Sequence, residues 1–155
     1  PAHKSPPFNH PIDLARLRSL KHDQQYRITT TKGEIVLMLE PSVAPGSCTV
    51  FDSLVTTGYY NGKAFHRVVP NFVAQGGCPR GDGYGGMPWT LRTEIGLEGF
   101  TTGAVGLASA GKDTESCQFF GGRILHSGIC IQNTANLVNH AFIGFQVVGQ
   151  NKQGR

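Results

Sequence analysis

The alternation of apolar and polar side chains becomes regular at Tyr26. The run YRITTT alternates large and polar residues, Lys32 and Gly33 supply a turn, and residues 34–40 form an almost unbroken apolar run. Alternation next to a turn predicts a β-hairpin, because successive side chains of a strand point to opposite faces. The second strand is apolar on both faces, so we expect it to be covered on both.

Two segments instead have apolar residues at helical spacing. In residues 12–20 this spacing predicts a short helix on the edge of the domain, after an extended leader at residues 1–11. In residues 41–58, Pro45 suits the first turn of a helix, and Gly58 suits the left-handed position just beyond its end. One face of this second helix is lined by Cys48, Phe51 and Val55, with Val50 and Leu54 beside it.

Short apolar runs separated by turn residues fill the middle of the chain. Residues 65–77 contain two such runs joined at Pro70 and Asn71, and we expect further strands at residues 89–94 and 103–110. Strands and helices do not alternate as βαβ units. We therefore predict a mainly β fold, an antiparallel closed β-barrel with one or two capping helices and a short N-terminal helix.

Composition and charge fit a single globular domain. A chain of 155 residues can bury a sizeable core, and 21 glycines with 9 prolines favour turns and short strands over a helical bundle. The net charge of +4 comes from dispersed lysines and arginines, so we expect no nucleic-acid partner. No apolar run is as long as a membrane span, and we expect no membrane partner.

The start of the chain and its cysteines leave the compartment open. The first residue is Pro1 and no signal-peptide pattern follows, so we expect a processed chain or a domain of a longer protein, cytoplasmic or from the cell envelope. The cysteines are far apart, and the sequence does not choose among free thiols, disulfides and a metal site, although buried free thiols are favoured. These cysteines are Cys48, Cys78, Cys117 and Cys130.

One cation lies inside the apolar run of residues 65–77. Burying the charge of Arg67 is costly unless another group binds it. One interpretation is purely structural, an ion pair between Arg67 and an acid such as Glu94. The neighbouring His66 suggests a general base, but alternation along a strand turns it to the opposite face. We therefore expect a hydrogen-bonding role in the core for His66.

The glycine-rich stretch at residues 81–86 formally matches the dinucleotide motif G-x-G-x-x-G. The motif requires a helix to begin there, and Met87-Pro88-Trp89 follows instead. We therefore predict a surface loop that lets a backbone or a peptide approach closely. Elsewhere the sequence contains no convincing catalytic triad, carboxylate pair or zinc-ligand spacing.

Two longer motifs resemble the signature of the cyclophilin-type peptidyl-prolyl cis/trans isomerases. They are FHRVVPNFVAQGG, residues 65–77, and GLASAGKDTESCQFF, residues 106–120. The resemblance is to the compact bacterial-type members. It implies a cyclophilin-like isomerase domain at residues 26–155 after a leader at residues 1–25, acting on Xaa-Pro bonds and assisting protein folding. It also implies Pro-containing polypeptides as partners, no cofactor and no metal, binding of cyclosporin-type ligands, and a monomer.

The same resemblance assigns roles to individual residues. Arg67 matches the donor to the prolyl nitrogen, Gln75 matches the glutamine that positions this arginine, and Phe72 matches a wall of the ring pocket. Nine further residues match substrate contacts: Val73, Gly83, Ala108, Ser109, Ala110, Gln118, Phe120, Leu137 and His140.

After Phe120 the chain departs from the family pattern. The usual Leu-Asp-Gly is absent, Gly144-Phe145 reverses the expected order, and the family's last helix and strand have no counterpart before Arg155. A barrel without its last strand has an unpaired edge, so we expect either that this divergent C-terminal third is remodelled or that the closing segment is supplied differently. The alternative function is a non-catalytic proline-peptide-binding domain of a larger protein, and a weaker one is a structural domain whose leader docks a partner.

Overall fold

The computed structural model describes a mainly β protein with few helices. It describes residues 9–21, 24–31, 33–70, 72–96, 103–122, 125–126, 129–130 and 142–147. The helices within these ranges are α1 (Leu14–Ser19) and α2 (Pro45–Thr56). The strands are β1 (Gln25–Thr30), β2 (Gly33–Leu39), β3 (Arg67–Val69), β4 (Val73–Gly76), β5 (Ala104–Leu107), β6 (Phe119–Gly122), β7 (Leu125–His126), β8 (Ile129–Cys130) and β9 (Phe142–Val147). No helix among the described residues has the length and apolarity to cross a membrane.

Seven strands form one antiparallel sheet in the order β1-β2-β9-β5-β6-β4-β3. The predicted hairpin is β1 with β2, in which Ile28 lies opposite Ile35. Strand β9 lies between β2 and β5, while β7 and β8 pair separately. The described strands give no pairing between β1 and β3, so closure of the barrel stays a prediction.

Helix α2 and one face of the sheet enclose the core. The helix begins at Pro45, and Gly58 follows its end with a φ of 73°, as the sequence predicts. Phe51 of α2 is 1% exposed and packs edge-to-face on Phe119 of β6, with ring centroids 5.9 Å apart. Tyr60 also packs edge-to-face on Phe119, at 5.4 Å. An aromatic cluster therefore fixes α2 against the strands that carry the site.

The strand predicted at residues 89–94 is wrong. Only two isolated bridges occur there, Thr90 with Asn9 and Leu91 with Glu115. The backbone N–H of Thr93 donates to a side-chain oxygen, Oδ1 of Asp113, at 2.8 Å. Because the Asp113 side chain takes up the Thr93 N–H, this group is not available to a strand ladder.

The N-terminal segment is docked on the domain. Helix α1 lies within the predicted range of residues 12–20, and Asp13 caps it by accepting a hydrogen bond from the Arg16 N–H at 2.9 Å. Ahead of it, the His10 N–H donates to the Thr90 carbonyl at 2.6 Å. The Arg16 side chain forms an ion pair with Asp52 of α2. The predicted boundary between leader and domain at residue 25 stays a prediction.

Three of the cysteine thiols are free and buried: Cys48, Cys78 and Cys117. Burial raises the pKa of Cys48 to about 12, so this thiol stays protonated at neutral pH. The side chain of Cys130 and the residues Leu137 and His140 lie outside the part of the chain whose side chains the structure describes.

Candidate active site

Strand register places the key predicted residues in one row across the sheet. Arg67 on β3 lies opposite Gln75 on β4, and Gln75 lies opposite Phe120 on β6. Residues directly opposite one another on paired strands share a face of the sheet. Arg67, Gln75 and Phe120 therefore share one face, while Phe119 takes the opposite face and packs in the core.

The Arg67 side chain is exposed and held by two neighbours. Its Nη1 donates to Oε1 of Gln75 at 3.4 Å, a long hydrogen bond, and its Cζ lies 5.7 Å from the centroid of the Phe72 ring. The Phe72 N–H donates to the Val69 carbonyl at 3.1 Å, which closes the turn between β3 and β4. A cation at this distance from an aromatic face is attracted to it.

The structural interpretation, an ion pair between Arg67 and Glu94, is wrong. The Glu94 carboxylate instead accepts hydrogen bonds from the N–H groups of Gly46 and Ser47, both at 2.8 Å, at the start of α2. Ala44 precedes this helix and gives it no side-chain cap, so an outside acceptor satisfies its first N–H groups. Among the described residues Arg67 has no ion pair.

A chain of amides continues from Gln75 to the glycine-rich loop. Nε2 of Gln75 donates to Oε1 of Gln118 at 2.9 Å. Nε2 of Gln118 in turn donates to the carbonyl oxygens of Gly83 and Gly85, at 2.9 Å and 2.6 Å. The role of Gly85 was missed from the sequence, because a backbone carbonyl carries no residue-type signal. Its position in the predicted loop was the only indication.

Apolar side chains lie beside this polar row. Val73 is two residues from Gln75 on β4, so both point to the same face, and Val73 is 2% exposed. Phe120 is 3% exposed and stands next to Gln75 across the strand pair. Phe72 is half-buried. The face thus combines one exposed cation with well-covered apolar groups.

The segment after β5 runs beside the same glutamine. The Ala108 N–H donates to the Gln118 carbonyl at 2.8 Å, which extends the pairing of β5 with β6 by one step. Ala108 and Ser109 are half-buried and Ala110 is exposed, with its N–H bound to Oγ1 of Thr114 at 2.8 Å. These residues therefore border the row at Gln118, where the sequence places a substrate-binding segment.

His66 lies behind the glycine-rich loop. A Cβ placed on Gly83 would lie 3.4 Å from Nε2 of His66, so the ring packs directly on that glycine. Both ring nitrogens are buried and have no hydrogen-bond partner among the described residues. The hydrogen-bonding role expected of His66 is therefore not observed, and its contact with the loop is one of packing.

Comparison with known protein families identifies the domain. The family model described as "Cyclophilin type peptidyl-prolyl cis-trans isomerase/CLD" matches residues 25–137. Peptidyl-prolyl cis-trans isomerase B of Bacillus subtilis (strain 168) is 43% identical over 97 residues, which are 61% of this chain and 68% of that protein. A peptidyl-prolyl cis-trans isomerase of Helicobacter pylori (strain J99) is 43% identical over 95 residues. That match covers 60% of this chain and 59% of the Helicobacter protein.

Solved structures give the same result for the fold. A crystal structure of a Cryptosporidium parvum cyclophilin type peptidyl-prolyl cis-trans isomerase superposes with a TM-score of 0.70 and 29% identity, over 83% of this chain and 79% of that chain. A crystal structure of the same protein in the presence of the dipeptide Ala-Pro gives a TM-score of 0.69. The predicted cyclophilin-like fold and isomerase class are confirmed. The chain belongs to the cyclophilin-type peptidyl-prolyl cis-trans isomerases.

Proposed function

We propose that this domain isomerises Xaa-Pro bonds of polypeptides with Arg67 as the donor to the prolyl nitrogen. The amide bond resists twisting with a barrier of ~18–20 kcal/mol, because conjugation is lost in the twisted state. In that state the prolyl nitrogen becomes pyramidal and basic. A hydrogen-bond donor aimed at it, together with an apolar slot for the ring, stabilises the twisted amide more than the planar one.

The position of Arg67 carries this proposal. Its guanidinium has no carboxylate partner among the described residues, and Gln75 holds it on the face that carries Val73 and Phe120. A net charge-assisted hydrogen bond contributes about 1.5–3 kcal/mol, which is one to two decades in rate. Larger acceleration requires the apolar enclosure, which we assign to Phe72, Val73 and Phe120.

We further assign the substrate backbone to the segment from Ala108 through Ser109 to Ala110, beside Gln118. Gly83 borders the neighbouring part of the groove, because it carries no side chain and its carbonyl binds Gln118. Leu137 and His140 would complete the pocket wall in this proposal. The Ala-Pro dipeptide present with the Cryptosporidium protein supports a proline-containing substrate here.

The wider assignment follows from the same groove. A single Pro-containing segment fits one domain, so we propose a monomer that acts in protein folding without cofactor, nucleic acid or membrane. Closure of the antiparallel sheet into a barrel belongs to this proposal, since it would hold β3 and β4 rigidly beneath the substrate. Rigid strands keep a donor in place better than loops do.

The test compares the unaltered protein with Arg67→Ala in a protease-coupled or exchange-NMR assay on an Xaa-Pro peptide. We expect turnover by the unaltered protein and a loss of at least tenfold in kcat/KM, about 1.4 kcal/mol, in the variant. Arg27→Ala is the matched control, because Arg27 is an exposed arginine on β1 that pairs with Glu34. Peptide binding without turnover would favour the non-catalytic alternative, and equal rates for both proteins would refute the role of Arg67.

A further inference from the structure

Two backbone carbonyls determine which way the side-chain amides of Gln118 and Gln75 are turned. The oxygens of Gly83 and Gly85 can only accept hydrogen bonds, so the group of Gln118 that faces them must be its NH2. The Oε1 of Gln118 then faces Gln75 and requires a donor there. Gln75 supplies its own NH2, which leaves Oε1 of Gln75 turned towards Arg67.

Reversing either amide would place an acceptor against an acceptor or a donor against a donor. A flipped Gln118 would place its oxygen 2.6 Å and 2.9 Å from the two carbonyl oxygens, where no donor is present. A flipped Gln75 would turn an NH2 group towards the guanidinium, which has only donors. One orientation of the pair therefore satisfies all of its neighbours.

The loop that carries the two carbonyls is itself held in place. The Gly83 N–H donates to Sγ of Cys78 at 3.3 Å, and the Tyr84 N–H donates to Oδ1 of Asp82 at 2.9 Å. Asp82 also forms an ion pair with Arg80, 2.7 Å between Nη2 and Oδ2. A Cβ placed on Gly85 would lie 2.9 Å from Cγ of Pro79, so this glycine packs closely on Pro79 and leaves no room for a side chain.

We propose that the glycine-rich loop at residues 81–86 orients the guanidinium of Arg67 through Gln118 and Gln75. Gln118 is thereby a positioning residue for the reaction, in addition to the substrate contact assigned above. The proposal rests on Arg67 being the donor to the prolyl nitrogen. Its physical basis is the fixed polarity of the two amides, since a donor that is held in place loses less freedom when it acts.

The test is a double-mutant cycle of Gln118→Leu with Arg67→Ala, assayed on an Xaa-Pro peptide. Leucine has a similar size and no polar group. If Gln118 acts through Arg67, Gln118→Leu lowers kcat at least fivefold in the unaltered protein and less than twofold when Arg67 is already alanine. We expect kcat to fall more than KM rises. Gln25→Leu, at an exposed position of β1, serves as the control and should leave the rate unchanged.

Equal losses in both backgrounds would show that Gln118 contacts only the substrate, and would overturn the proposal. Failure of the proposed function has another signature, since Arg67→Ala alone would then leave the rate unaltered. A second measurement needs no variant and follows hydrogen exchange of the glutamine side-chain amides by NMR. We expect the Gln118 amide protons to exchange at least tenfold more slowly than those of exposed Gln25. Equal exchange rates would also overturn the proposal.

Discussion

Glu94 accepts two hydrogen bonds from Ser47, one from the backbone N–H at 2.8 Å and one from the hydroxyl at 2.7 Å. With the third bond, from the Gly46 N–H, this carboxylate caps α2 across 48 residues of sequence. A negative charge at the start of a helix is also favourable for the helix dipole. The segment that follows the glycine-rich loop in the sequence is thereby bound to the start of α2.

Replacing Glu94 by alanine should therefore destabilise the fold. We expect Glu94→Ala to lower the free energy of unfolding by ~1–2 kcal/mol, the usual cost of losing a helix cap. Glu94→Gln keeps one acceptor and should lose less. The measurement is urea denaturation followed by circular dichroism, with Glu34→Ala in the exposed hairpin as the control. A cost for Glu94→Ala no greater than that for Glu34→Ala would contradict the assigned cap.

Gly77 should tolerate no side chain. A Cβ there would lie 2.5 Å from the Cys117 carbonyl oxygen and 3.0 Å from the Tyr60 ring, and the backbone has a φ of 85°. We expect Gly77→Ala to cost more than ~2 kcal/mol of stability, because steric overlap adds to the left-handed strain. Gly62→Ala has a φ of 74° with nothing within 4 Å of the new Cβ, so it should cost only ~1 kcal/mol. Similar melting temperatures for the two variants would rule out the overlap.

Glu115 should make stability depend on pH. Burial raises the pKa of its carboxyl, against the hydrogen bond that the Thr93 hydroxyl donates to it. The folded protein therefore binds this proton more tightly than the unfolded chain, whose glutamate pKa is about 4.3. As the pH rises from that value through the folded-state pKa, ionisation lowers stability; as the pH falls again, stability returns.

The variant Glu115→Gln removes this titration. The cost of burying its neutral amide is the same at every pH, so the stability of the unaltered protein relative to the variant should increase as the pH is lowered from 7 towards 4. Denaturation curves at a series of pH values give this difference directly. A difference that is constant with pH would show that Glu115 titrates normally in the folded state.

Arg16 should fasten α1 to the domain. Asp52 is 8% exposed and accepts hydrogen bonds from both the Arg16 guanidinium and the Tyr26 hydroxyl. We expect Arg16→Ala to cost ~1–3 kcal/mol, because the covered carboxylate loses a charged partner. Arg18→Ala is the matched control, since Arg18 is exposed on the same short helix. Thermal melts that fail to separate the two variants would mean that the ion pair contributes nothing.

The local elements were predictable from the sequence because their signals are local. Alternation gave the hairpin, and Pro45 with Gly58 gave both ends of α2. The strand predicted at residues 89–94 failed because Thr93 and Glu94 bind distant groups, Asp113 and the start of α2. Local sequence patterns and residue propensities do not reveal hydrogen bonds between residues that are far apart in the sequence. The missing cap residue at Ala44 was the one indication that an outside acceptor was needed.

The site was predictable as a set of residues but not as an arrangement. The family motifs name Arg67, Gln75 and Gln118, yet Gln75 and Gln118 are 43 residues apart, and their contact depends on the register of β4 with β6. A shift of one residue would turn Phe120 into the core and Phe119 outwards. The contacts of Gly83 and Gly85 with Gln118 are made by backbone carbonyls, which every residue type has, so only the fold reveals them.

The docked N-terminal segment has a practical consequence for where the chain is cut. The region of homology starts at residue 25, and a truncation at that point would discard Arg16 and also His10, whose ring packs edge-on against Trp89 with ring centroids 4.8 Å apart. Trp89 would then be more exposed to solvent, and Asp52 would lose its ion pair with Arg16. A trimmed protein of that kind should aggregate during purification, whereas one that retains residues 9–24 should stay monodisperse.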